Sequence, residues 1–154
     1  MAFREKMLWA SAVTTVVIWG WYFWGFVSAL EAPVFNAGTE VGKFIFAVVA
    51  LTVVTVVSAI VLALSSPRDA QAPADDRDRA FALLGYRAAF VTLSVLIATL
   101  TVVAPLTMAT APAWLGGKPM GLVPIVISNA LLLSLVIAEL VRSATVLFLY
   151  RRGS

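Results

Sequence analysis

Cysteine and histidine are both absent from this chain of 154 residues. Without cysteine there is no disulfide framework and no thiolate metal site. Without histidine the commonest metal ligand and the usual general base near neutral pH are missing. There is no Gly-rich phosphate loop, nucleophile elbow or cluster of metal-ligand spacing. Neither an enzyme nor a bound metal or cofactor is therefore expected. Charge is scarce as well. Charged residues make up 12% of the chain, where a soluble domain has about 25%.

What is abundant is apolar. Hydrophobic residues reach 62% and mean hydropathy is +0.99. A small domain is mostly surface, so a core cannot hide that excess. Four apolar runs, about 7–30, 43–64, 80–108 and 122–150, are each long enough to cross a bilayer. The second is rich in valine, a strand former in water. It has neither alternation nor a turn, so a helix is expected there too. The fold expected is all-α, an antiparallel bundle of four transmembrane helices forming a single membrane domain. Helical spacing of Thr52, Thr55 and Ser58, and of Ser94 and Thr101, suggests close helix packing. Trp9, the run from Trp19 to Trp24, and Trp114 suit membrane interfaces. The basic, apolar amino-terminus also resembles a signal peptide, but its apolar run is longer than such a segment needs, and an uncleaved anchor is expected.

Lysine and arginine set the orientation. Arg4, Lys6, Arg68, Arg77, Arg79, Arg87, Arg142, Arg151 and Arg152 fall on one side, and Lys43 and Lys118 on the other. That bias places both termini, and the hydrophilic connection 65–79 with Pro67 and Pro73, in the cytoplasm. The net charge of +3 then reflects topology and attraction to anionic lipid, and no nucleic-acid partner is expected.

The last run carries Glu139 and Arg142, its only charges before Arg151 and Arg152. A charge at the centre of a membrane helix costs roughly 2.5–3.5 kcal/mol, so each needs a partner. Counting 1.5 Å per residue from the outer ends of the last two runs puts Arg87 near the level of Glu139 and Arg142. It also sets Asp75, Asp76 and Asp78 against Arg151 and Arg152 at the water edge. Two readings of Glu139 stand. It pairs with Arg142 on its own helix, or with Arg87 across to the next. As a functional group it would be an intramembrane proton or solute site.

The run Asp75-Asp76-Arg77-Asp78-Arg79 with Arg87 beyond it, then Glu139-x-x-Arg142 and Tyr150-Arg151-Arg152-Gly153, resembles a family of small four-span bacterial inner-membrane proteins. Its members carry a D-E-R-D-like motif before the third span and a Y-R-R-G-like ending. The family is known only as a domain of unknown function. Asp76 stands where the motif has glutamate. The resemblance implies four helices in a bacterial cytoplasmic membrane and no particular activity. With soluble domains and catalytic groups missing, the expected role is an accessory, regulatory or assembly subunit, touching another membrane protein or a second copy of itself. A small oligomeric transporter or channel using Glu139, and a toxin-immunity protein, are the alternatives.

Overall fold

A computed structural model describes residues 3–67 and 75–152. Arg68 and Pro73 of the hydrophilic connection, and Gly153 of the carboxyl-terminal motif, lie outside the described residues. Every described element is helical: α1 (Phe3–Glu31), α2 (Ala37–Ser65), α3 (Asp76–Ala109), the single turn α4 (Ala111–Trp114) and α5 (Leu122–Arg152). All but α4 are long and apolar enough to cross a membrane. In hydrocarbon only a helix satisfies its own backbone, so apolar runs of this length have no other local solution.

Caps set the boundaries. The α2 helix starts at Ala37, six residues before the apolar run proper, because Asn36 is a good N-cap. Its side-chain oxygen accepts from the Thr39 N–H at 3.2 Å, meeting one of the orphan donors of the first turn. The polar connection expected over 31–42 shrinks to residues 32–36, and Glu40 becomes helical. Asp75 caps α3 with its Oδ1 2.7 Å from the Asp76 N. The long connection between α3 and α5 reverses at Gly116 and Gly117, with φ of 58° and 87°. Left-handed backbone of this kind costs glycine nothing and other residues about 1–2 kcal/mol.

The principal packings join α1 to α2, α1 to α5 and α3 to α5. The helices therefore follow one another in space as α2–α1–α5–α3, with α1 and α5 central. Of α5's most apolar window 28% is buried, whereas α3 has none. Residues near both termini meet at one end of the bundle, where Arg4 Nε lies 3.3 Å from Asp78 Oδ2 and Arg151 lies over the Trp9 ring. The opposite end holds the connections 32–36 and 110–121, tied where Lys118 Nζ donates to the Leu30 carbonyl.

The aromatic run of α1 divides by face. Trp19, Tyr22 and Phe26, at helical spacing, are buried, while Trp21 and Trp24 point outward at 51% and 80% exposure. Trp19 and Tyr22 pack edge to face, with centroids 5.6 Å apart, around Ala47 of α2 and Val136 of α5. The run thus builds core and outer surface together, where a belt at the membrane interface was expected. Ser94 and Thr101 are exposed and do not mediate packing. Thr101 returns its hydroxyl to the Ile97 carbonyl.

Candidate functional site

Two polar places interrupt the apolar bundle. The first lies toward the end that holds the termini. Arg142 donates from Nε to Glu139 Oε2 at 2.9 Å and from a terminal nitrogen to Oε1 at 2.5 Å. This two-pronged, charge-assisted contact needs only an i,i+3 spacing on one helix. The guanidinium also lies over the Tyr86 ring of α3, 5.4 Å from its centroid. Arg87 does not join them. It is exposed and has no ion-pair partner among the described residues.

The level was read to within a turn; the direction was not. Gly85 is the residue of α3 that faces α5 here. A Cβ built on it would come within 2.5 Å of Val146 Cγ2 and 3.2 Å of the Arg142 carbonyl oxygen. Arg87, two residues on, is rotated about 200° from that contact. Two turns further toward the end that holds the termini, Asp78 accepts from the Tyr150 hydroxyl at 2.5 Å and pairs with Arg4. Tyr150 also meets the Phe81 ring edge-on at 5.3 Å. Asp78 therefore sits at the level expected, but tyrosine and α1 supply the partners that Arg151 and Arg152 were expected to provide. Asp76 pairs loosely with Arg79 at 3.7 Å, and Asp75 serves as the cap. Arg151 lies over Trp9 and Arg152 over Phe148.

The second place is at the opposite end, and the sequence reading missed it. Between α2 and α5, floored by Tyr22 of α1, is a cavity of about 500 Å³ lined by Glu40, Phe44, Ser128, Asn129 and Leu132 among others. Glu40 is 94% buried, being 6% exposed. Lys43 Nζ donates to its Oε1 at 2.7 Å, while Oε2 is buried with no hydrogen-bond partner. The Tyr22 hydroxyl donates to Asn129 Oδ1 at 2.7 Å, and Asn129 Nδ2 donates back to the Ile125 carbonyl. Asn129 thus faces this cavity, whereas Glu139 is not among the lining residues. The signal that marks Glu40 is local. An Asn36 cap with acid and base at Glu40 and Lys43 is a helix start, not a loop.

No protein-family model, no curated protein and no solved structure matches this chain. The reading of its function therefore rests on its own residues.

Proposed function

We propose that this chain is a non-enzymatic integral subunit of a bacterial cytoplasmic membrane. It acts as an accessory, regulatory or assembly component by contact with another membrane protein or a second copy of itself. Both termini and the hydrophilic connection are assigned to the cytoplasm, as the lysine and arginine bias requires. The observation that carries the proposal is Arg87, which stands exposed on a helix that packs chiefly against one neighbour. It lies about 17 Å along α3 from Asp76, and a cation within a membrane helix is costly unless an anion or the headgroups receive it. A carboxylate on a partner helix satisfies it. The transporter reading asks Glu139 to be open to a proton or solute, and both of its carboxylate oxygens are already engaged by Arg142.

Purification of tagged chain in mild detergent tests the proposal. The wild type is expected to bring a stoichiometric companion or a second copy. Arg87→Glu is expected to lose it while the chain accumulates normally. Retention of the companion by Arg87→Glu, or a wild type that purifies as a lone chain, overturns it. Glu139→Gln separates the rivals, since loss of pH-dependent flux at normal abundance would favour a transporter.

A further inference from the structure

The cavity between α2 and α5 has the features of a binding site, and it is separate from the accessory role. Its volume falls in the range of small-molecule sites, roughly 300–1,000 Å³. Its polar groups are Glu40, Ser128, Asn129 and the Tyr22 hydroxyl. Glu40 carries an oxygen without a partner, and a buried acceptor left unpaired is expensive. The carboxyl turns easily about its broad terminal torsion, which brings an oxygen to a donor placed in the cavity. The Ser128 hydroxyl, also in the lining, is exposed and has no hydrogen-bond partner among the described residues. Asn129 and the Tyr22 hydroxyl, also in the lining, bond to each other, and the rest of the lining is aromatic and aliphatic. Val41, Leu131 and Leu135 are 57%, 42% and 55% exposed, so the cavity opens sideways between the two helices, onto the surface that faces lipid.

Charge selects the occupant. Lys43 already balances Glu40 at 2.7 Å. A cationic head would leave one uncompensated positive charge in an apolar setting, and an anionic head would face the carboxylate. A neutral head with a hydrogen-bond donor meets the free acceptor without either cost. Depth agrees, because Glu40 lies about 6 Å along α2 from its cap, near the headgroup level, with the leucines further in. We propose that this cavity binds a neutral amphiphile bearing a hydroxyl or amide N–H. Its polar end sits at Glu40 and Ser128, and its chain leaves between α2 and α5.

The test uses the full chain in nanodiscs of phosphatidylcholine, whose headgroup has no hydrogen-bond donor. Dodecanoylglycerol, methyl dodecanoate and dodecylamine are each added at equal mole fraction, and the thermal unfolding midpoint is read, because a ligand that binds only the folded state raises it. Dodecanoylglycerol is expected to raise the midpoint with increasing dose, and the other two are not. Glu40→Leu is expected to weaken this response about tenfold or more, the loss that follows from removing one hydrogen bond to a charged group. Leu135→Trp blocks the mouth from an exposed position, so it keeps the fold and decides the matter if Glu40→Leu does not accumulate. An equal response to the methyl ester or the amine overturns the proposal. So does an unchanged response in Leu135→Trp, or a groove occupied by a co-purifying helix with no response to dodecanoylglycerol.

Discussion

At Gly85 an added Cβ would meet a Val146 methyl at 2.5 Å and the Arg142 carbonyl oxygen at 3.2 Å. Val146 is β-branched, and its rotamer is nearly fixed in a helix, so its methyl cannot swing from an added Cβ. Gly85→Ala gains about 1 kcal/mol of intrinsic helix propensity. It loses more to overpacking, about 1–3 kcal/mol, and the net expectation is a lower unfolding midpoint in detergent. Gly20, with nothing within 4 Å of a Cβ, is the control, and Gly20→Ala is expected to hold or raise the midpoint. The Glu139–Arg142 pair makes a second case at the same scale. Arg142→Met leaves a half-exposed carboxylate in an apolar surface, whereas Glu139→Gln with Arg142→Met leaves neither charge. The single change is expected to cost about 2 kcal/mol more than the double, measured by equilibrium unfolding. If the double is the worse of the two, the pair is not acting as a unit.

Among the elements, existence was easier to read than arrangement. Runs of more than twenty apolar residues admit only helices in lipid, and all four of the long helices are present. The start of α2 falls earlier than expected because Glu40 looks like a loop residue when read as an isolated charge, and like part of a helix start only when Asn36 is read with it. Which faces meet was not legible for α3. Counting residues fixes how deep a side chain lies and says nothing of which way it points. Arg87 and Asp78 were both set at the right level, but the face of α3 that meets α5 carries Tyr86 and Gly85, and Tyr150 took the place expected of the arginines. The order α2–α1–α5–α3 has its own test, aided by the absence of native cysteine. With a protease site placed after Gly117, oxidised Gly85→Cys with Val146→Cys is expected to keep the two cleaved pieces joined. With the protease site placed after Ser66 instead, oxidised Val54→Cys with Ile97→Cys, a pair across α2 and α3, is expected to leave the pieces separate. The reverse result would require a different order.

For the whole molecule, the polar places sit at opposite ends. The end with the termini is closed by paired charges and by arginines laid over aromatic rings. The far end keeps an acceptor in reserve beneath an opening to the side. The proposed orientation in the membrane rests on the nine-to-two split of lysine and arginine, and labelling can check it. In intact cells an impermeant maleimide is expected to react with Gly117→Cys and to spare Ser66→Cys until the membrane is opened. The opposite pattern would invert the assignment of both termini.

The central position of α1 bears on how the chain is made. Its partner on one side, α2, follows at once during synthesis, but its partner on the other, α5, is the last to emerge. Until then Trp19 and Tyr22 must wait against lipid, with the tyrosine hydroxyl lacking the asparagine that will accept from it. The amino-terminal hairpin is therefore an unfinished surface for most of translation, and a nascent chain stalled before residue 122 is one that a membrane quality-control protease should recognise.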